Sequence, residues 1–186
     1  MLVGIFFIKE RLVVYLDYSF VNGHFEMVER KNKEITAKIV VGIYTFGNWV
    51  FYQFKIPVIK PILYFVYKIL NFVFVKILFN TEIPAEAKFG KGLVINHPYG
   101  IIINPHVTIG KNATLRHQVT IGNKGGTKND GVPHIGNNLN VGAGAKIIGP
   151  INIGDNVTIG TNAVVTKNFG NHLVLVGVPA KIIKAL

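Results

Sequence analysis

The sequence contains no cysteine, which excludes disulfide bonds, cysteine-ligated zinc and thiol catalysis. Acidic residues are also scarce, since nine Asp and Glu stand against 20 Lys and Arg and give a formal charge of +11. None of the nine lies between residues 35 and 81. Such a surplus of positive charge favours an anionic partner: a phosphate-bearing small molecule, an anionic membrane or nucleic acid.

Residues 1–81 are rich in aromatic and aliphatic side chains, and few of them are glycine. They predict an α-helical, basic and apolar N-terminal region, broken near Pro57 and Pro61. Residues 61–80 have about the length of a membrane span, but Lys68 and Lys76 make spanning unfavourable. Peripheral contact with an anionic membrane and simple packing within the protein both stay open. No basic residue precedes the first apolar stretch, so we expect no secretory signal and a cytoplasmic protein.

From residue 82 onward the sequence follows a period of six. Each hexad begins with an aliphatic or aromatic residue, and its fifth residue is usually small or aliphatic. The clearest series of first residues is Ile135, Val141, Ile147, Ile153, Ile159 and Val165. This period fits neither an α-helix nor a long strand, so each hexad predicts a short strand followed by a turn. The frame slips after Ile95 and again after Ile121, where a loop is expected at about 122–134.

These hexads, together with segments such as NHPYG, GAGAK and GVPAKII, resemble the hexapeptide-repeat acyltransferases. Within that family, residues 82–186 are similar to serine acetyltransferases and to bacterial polysaccharide O-acetyltransferases. The resemblance implies a mainly β fold, a left-handed parallel β-helix that follows the helical region. It also implies acetyl-CoA as co-substrate, no metal and a homotrimer. The lysines form no stacking platform with aromatics in the repeats, so we expect no nucleic acid partner.

His97 is the candidate catalytic base, because it lies beside a frame slip and matches the catalytic histidine of the family. In those relatives an aspartate fifteen residues earlier orients the imidazole, and the corresponding residue here is Glu82. Asn96 and His117 are the candidate acceptor contacts. Since His97, His117, Ala143 and Thr161 are each the third residue of a hexad, the repeat stacks them in one column along the helix axis.

Acetyl-CoA is expected along this column, where small residues let a narrow pantetheine arm approach the backbone. Gly122 is the candidate donor of a peptide N–H to the oxyanion beside the thioester. The remaining candidate contacts of acetyl-CoA are Ala143, Gly144, Lys146, Thr161, Ala163, Lys167, Pro179 and Lys181.

The acceptor expected from the sequence is a hydroxyl of a saccharide, in capsule, exopolysaccharide or other glycan assembly. The serine enzymes carry an aspartate before the catalytic histidine and an Arg-His pair before the proline of the loop. This chain has Asn96 at the first position and Gly131 and Val132 before Pro133 at the second. Two alternatives stay open: a serine O-acetyltransferase, and a non-catalytic β-helical scaffold.

Overall fold

The computed structural model describes residues 32–125 and 130–186, together with the backbone of two N-terminal strands. These strands, β1 (Ile5–Ile8) and β2 (Arg11–Val14), pair antiparallel. The helical prediction for 1–81 is therefore wrong for these two segments, and for the rest of 1–31 it lies outside the described residues. Within residues 32–125, the helices are α1 (Ile35–Tyr52) and α2 (Lys60–Leu70), and α2 continues as a π-helical segment, Asn71–Leu78. The break falls at the two prolines, with Pro61 in the first turn of α2.

The hexad half forms a parallel β-helix with three faces, which confirms the fold class expected from the repeat. One face consists of β3 (Lys88–Phe89), β6 (Thr108–Ile109), β9 (His134–Ile135) and β12 (Asn152–Ile153). The second consists of β4 (Val94–Asn96), β7 (Thr114–Arg116), β10 (Asn140–Val141), β13 (Thr158–Ile159) and β15 (Leu173–Val176), with β16 (Lys181–Ala185) antiparallel to β15. The third consists of β5 (Ile102–Ile103), β8 (Thr120–Gly122), β11 (Lys146–Ile148) and β14 (Val164–Val165).

The first and fifth residues of the hexads fill the interior, as the period predicts. Ile147 and Val165 are completely buried first residues, and Ala113, Ala145 and Val157 are buried fifth residues. Burial of each aliphatic side chain stabilises the fold by about 1.5–3 kcal/mol, so stacked coils accumulate a continuous core. The fourth residue takes the left-handed backbone conformation at the corner, as at Asn138 and Asn156 with φ of 56° and 58°. Asparagine tolerates this conformation better than most residues.

The helices cover the open end of the first coil. Such an end exposes backbone N–H and C=O groups that need partners. The hydroxyl of Tyr44 donates to the carbonyl of Ala87 at 2.8 Å, and the peptide N–H of Ala85 donates to the hydroxyl of Tyr67 at 2.9 Å. The side-chain amide of Asn48 donates to the carbonyls of Ala85 and Ala87. Through these side chains, α1 and α2 cap the β-helix.

Candidate active site

A cleft of about 490 Å³ opens where the π-helical segment meets the first two coils. Residues 78–80 line it on one side, and His97, Tyr99, Gly100, His117 and Gln118 line it on the other. The cleft is thus lined by two imidazoles, two amide side chains and the apolar side chains of Leu78 and Phe79. No lysine, arginine, aspartate or glutamate is among these lining residues of the described chain.

His97 lies at the first frame slip, outside the regular corner pattern. Its φ is 58°, although it is the third residue of its hexad rather than the fourth. A non-glycine residue in this region carries strain that surrounding contacts must hold, and such residues concentrate at functional sites. Here the buried Thr81 donates to the carbonyl of Pro98 at 2.8 Å, and the N–H of Gly100 donates to the carbonyl of Asn80 at 3.1 Å. The chain that leaves the π-helical segment thereby fixes the loop of His97.

The carboxylate of Glu34 orients the imidazole of His97. Its Oε1 lies 2.9 Å from Nδ1 of His97. Asn32 brings it there, because this buried side chain accepts from the N–H of Ile95 at 2.9 Å and donates to the carbonyl of Leu93 at 3.2 Å. The start of α1 is thus tied to β4, two residues before His97. With Nδ1–H donating to the carboxylate, Nε2 is the nitrogen left to accept a proton.

Glu82 does not contact His97 in this structure, which corrects its predicted supporting role. Its carboxylate lies 3.4 Å from Nζ of Lys76 and is half exposed. Its backbone pairs with Ile102, at the edge of the third face. The longer side chain of glutamate reaches the end of the helix instead of the imidazole.

His117 stands one coil beyond His97, with ring centroids 6.0 Å apart and an interplanar angle of 64°. Its Nδ1 is buried and has no hydrogen-bond partner among the described residues. Asn96, the other predicted acceptor contact, is half-buried in β4 in register with Arg116 and is not among the residues that line the cleft.

The predicted column of His97, His117, Ala143 and Thr161 runs along one edge of the three-faced β-helix. The N–H of Gly144 donates to the carbonyl of His117 at 3.0 Å, and the N–H of Asn162 donates to the carbonyl of Ala143 at 2.9 Å. These bonds stack the corners at 117–118, 143–144 and 161–162 above the cleft. Gly144 has a φ of 72°, and a side chain there would meet the amide of Asn162. The edge is therefore narrow, continuous and free of large side chains at 143 and 144.

The other predicted contacts of acetyl-CoA lie at varying distances from this edge. Nζ of Lys146 donates to the carbonyl of Gln118 at 2.5 Å, which puts its charge beside the cleft. Lys167 lies over the ring of Phe169, at 5.7 Å from its centroid. Pro179 and Lys181 are exposed where β15 turns into β16, and Thr161 is exposed at its corner. Thr161 thus belongs to the edge. For Lys167, Pro179 and Lys181, contact with acetyl-CoA stays a prediction.

One predicted contact of acetyl-CoA has a structural role instead. The side chain of Ala163 is completely buried, its N–H donates to the carbonyl of Gly160 and its carbonyl accepts from the N–H of Lys146, so we assign it to the core. Gly122 is buried in β8, and its carbonyl accepts from the N–H of Gly149 at 2.9 Å. The role expected of its N–H beside the thioester stays a prediction. Sequence reasoning missed Glu34, for which no local pattern gives a signal. It also missed Tyr99 and Gln118, whose neighbourhood to His97 and His117 in the repeats could have indicated them.

Among the described residues, no group of three or more histidine, aspartate or glutamate side chains could hold a metal ion. The site therefore consists of imidazole, amide and carboxylate groups. His97 can accept a proton and return it. His117 and Gln118 can form hydrogen bonds with the substrate that receives the acyl group.

Known proteins similar to this chain share its repeats and its fold. Residues 133–167 match the family model "Bacterial transferase hexapeptide (six repeats)". Serine acetyltransferases of Staphylococcus aureus and Staphylococcus epidermidis are 42% and 43% identical to it over 103 residues, which is 55% of this chain and 48% of theirs. The chain thus spans about half the length of these relatives.

Solved structures agree with the fold. Serine acetyltransferase from Brucella abortus in complex with coenzyme A superposes with a TM-score of 0.74 and 23% identity, over 91% of this chain and 68% of that one. Soybean serine acetyltransferase complexed with serine gives 0.71 and 23%, over 89% and 68%. These structures are left-handed β-helices, and the β-helix of this chain has the same hand.

The predicted saccharide acceptor is wrong, since the relatives and structures named above are all serine acetyltransferases. The prediction relied on Asn96 and on the two residues before Pro133. The side chain of Val132 is buried against the core, so it offers no contact to either acceptor. Asn96 likewise lies outside the lining of the cleft. The repeat pattern of the core, the match at residues 133–167 and the likeness of fold make the chain similar to the hexapeptide-repeat acyltransferases.

Proposed function

We propose that this chain is a serine O-acetyltransferase that uses acetyl-CoA and that His97 is its general base. The observation that carries the proposal is the pair formed by His97 and Glu34 at the cleft. It leaves Nε2 of an oriented imidazole as a proton acceptor. The serine acetyltransferases that are 42–43% identical over 103 residues support the choice of serine as acceptor.

The reaction needs one proton to move and one acyl bond to be exchanged. Nε2 of His97 takes the proton of the serine hydroxyl while its oxygen attacks the thioester carbonyl. The tetrahedral intermediate collapses with cleavage of the carbon–sulfur bond, and the imidazolium returns the proton to the departing thiolate. Glu34 stabilises the imidazolium through Nδ1–H, which is the role of a carboxylate behind a catalytic histidine. Direct transfer requires no covalent acyl-enzyme.

Acetyl-CoA would lie along the edge formed by the corners at 117–118, 143–144 and 161–162. The small residues Ala143 and Gly144 leave room for the pantetheine arm there. Lys146 stands next to Gln118 at the thioester end, and Lys181 lies where the charged end of the molecule would emerge. Cationic side chains suit the phosphates of CoA. The Brucella abortus structure named for its complex with coenzyme A supports coenzyme A as the ligand, without bearing on the edge.

Serine carries two charges that the cleft of one chain does not complement, since no charged side chain is among its lining residues in the described part. His117, Gln118 and Asn80 can supply hydrogen bonds, and a neighbouring copy would supply the rest. We therefore propose a homotrimer in which each cleft lies between two copies. Sedimentation velocity would then give three times the mass of the 20.5 kDa chain, and a monomer would contradict this part of the proposal.

Release of CoA thiol measures the reaction directly. The purified chain is mixed with acetyl-CoA and L-serine, and L-threonine and glycerol serve as alternative acceptors. We expect serine-dependent release that saturates with serine and falls by at least about 100-fold in His97→Ala, since general bases contribute that much. The proposal would be refuted if the rate of thiol release did not depend on serine, or if His97→Ala released thiol at the original rate.

A further inference from the structure

The helix that caps the first coil has an apolar side that is exposed among the described residues. It runs from Lys60 to Leu78, has a mean hydropathy of 1.7 and is long and apolar enough to cross a membrane. Its inner side is marked by the buried Tyr67 and Val75. On the opposite side lies what we call the outer face, formed by Ile62, Phe65, Ile69, Phe72, Val73 and Ile77. Phe65 and Ile77 are each 64% exposed. A contiguous apolar face of this size marks an interaction surface.

Lysines flank the outer face. Lys68 directly follows the inward Tyr67, and Lys76 directly follows the inward Val75, so each lies about a quarter of a turn from the inner side. Nζ of Lys68 is 5.2 Å from the ring centroid of Tyr64. Long lysine side chains at such positions can keep their charge in water while their methylenes lie against apolar groups.

Among the described residues, the charge of this region is only partly balanced. Residues 35–81 contain five lysines and no acidic residue. Of the two described carboxylates that contact this helix, Glu82 pairs with Lys76 and Glu86 accepts from the hydroxyl of Tyr64 at 2.7 Å, and neither pairs with Lys68. If two copies met through this face, no acidic residue of the face would balance Lys68. An anionic lipid surface offers both the apolar interior and the opposite charge.

The contacts on the inner side exclude a spanning arrangement of the folded protein. The hydroxyl of Tyr67 accepts from the N–H of Ala85, Tyr64 bonds Glu86, and Nζ of Lys60 donates to the carbonyl of Phe51 at 2.8 Å. A helix that crossed the bilayer would lose these bonds and would bury Lys68. A helix that lies in the interface keeps all of them.

We propose that the outer face binds the surface of an anionic membrane, with the helix parallel to the bilayer plane and Lys68 at the lipid phosphates. The helix ends at Leu78, which lines the cleft of His97. Membrane binding would therefore hold the mouth of the cleft at the lipid–water boundary. This proposal is independent of the acceptor.

Vesicle flotation with the full chain tests the proposal. The probes are vesicles of phosphatidylcholine alone and vesicles of phosphatidylcholine mixed with phosphatidylglycerol. The variant is Phe65→Ser with Ile69→Ser, which removes two exposed side chains from the outer face. The control is Ile182→Ser with Ile183→Ser, two isoleucines of β16 that are 54% and 62% exposed at the other end of the β-helix. Lys68→Gln tests the charge without altering the apolar face.

We expect the chain to float with the anionic vesicles and not with the neutral ones, and high salt to release it. The outer-face variant should bind at least about tenfold more weakly, because two apolar side chains no longer leave water. Lys68→Gln should weaken binding as well, and the control should bind like the original chain. No flotation, or equal flotation of the outer-face variant, would overturn the proposal. The proposal would also be overturned if the chain formed an oligomer and the outer-face variant alone disrupted it, because a second copy would then cover the face.

Discussion

Oε1 of Glu34 lies 2.9 Å from Nδ1 of His97, although 62 residues separate the two in the sequence. The side chains are 41% and 58% exposed. An ion pair this open to water adds little to the stability of the fold. The pair instead orients the imidazole of His97. Because Nδ1 is held by Glu34, Nε2 is the nitrogen that can accept a proton.

Replacement of Glu34 should therefore lower the rate and leave binding intact. Glu34→Gln keeps a hydrogen-bond acceptor but loses the charge that stabilises the imidazolium, so we expect kcat to fall about tenfold. Glu34→Ala should lose more, and KM for acetyl-CoA should not change in either variant. The matched control is Glu82→Gln, which should retain nearly full kcat. If Glu82→Gln lowered kcat more than Glu34→Gln, Glu82 rather than Glu34 would be the residue that supports His97.

Two glycines of the same helix provide a matched test of how α1 packs. A methyl group at Gly42 meets nothing within 4 Å, whereas one at Gly47 runs into the ring of Tyr67. Gly42→Ala should raise the free energy of unfolding by up to about 1 kcal/mol, because alanine favours the helix. Gly47→Ala should lower it by about 1–3 kcal/mol, because that ring is buried and bonded to Ala85 and cannot move aside. Denaturant unfolding measures both, and equal effects would show that the two helices do not pack as described.

Alkaline pH should destabilise the cap of the β-helix. Burial raises the pKa of Tyr67 from 10 to about 12, even though the bond from the N–H of Ala85 acts in the opposite direction. A pKa that is higher in the folded state gives stability that is complete below pH 10. This stability is lost as pH rises through 12, because the unfolded chain releases the proton first. Burial also raises the pKa of Tyr44, so both tyrosines contribute.

The free energy of unfolding, measured by denaturant at pH 8 and at pH 11, should therefore fall between the two values. Tyr67→Phe should be less stable than the original chain at pH 8, because the N–H of Ala85 loses its partner. Its loss between the two pH values should be smaller. An equal loss in both proteins would exclude Tyr67 as a source of the pH dependence.

Lys181 offers a test of the acetyl-CoA assignment. Lys181→Gln should raise KM for acetyl-CoA a few-fold with kcat unchanged, because a single exposed cation contributes on the order of 1 kcal/mol to phosphate binding. High salt should reduce the difference between the two proteins. Lys55→Gln, on the exposed connection between α1 and α2, serves as the control and should behave like the original chain. An unchanged KM in Lys181→Gln would show that the phosphates of CoA do not bind at β16.

The sequence was most informative where structure is local. A period of six predicts which side chains enter the core, and Ile135, Val141 and Ile159 are buried as expected. The frame slip at Ile95 likewise marked the strained loop of His97. Glu34 could not be found in this way, because its position follows from the bonds of Asn32 to β4, and no pattern links residues 32 and 95. The acceptor was wrong because the prediction relied on charged contacts that are missing at Asn96 and before Pro133, and a missing contact does not show which other groups hold the acceptor.

The formation of O-acetylserine tests the central claim most directly. Mass spectrometry of a mixture of the chain, acetyl-CoA and L-serine should find this ester in amounts equal to the CoA released. His97→Asn should form it at least about 100-fold more slowly while acetyl-CoA still binds. Absence of the ester, or its formation at the same rate by His97→Asn, would contradict the assignment of His97 as the base of a serine O-acetyltransferase.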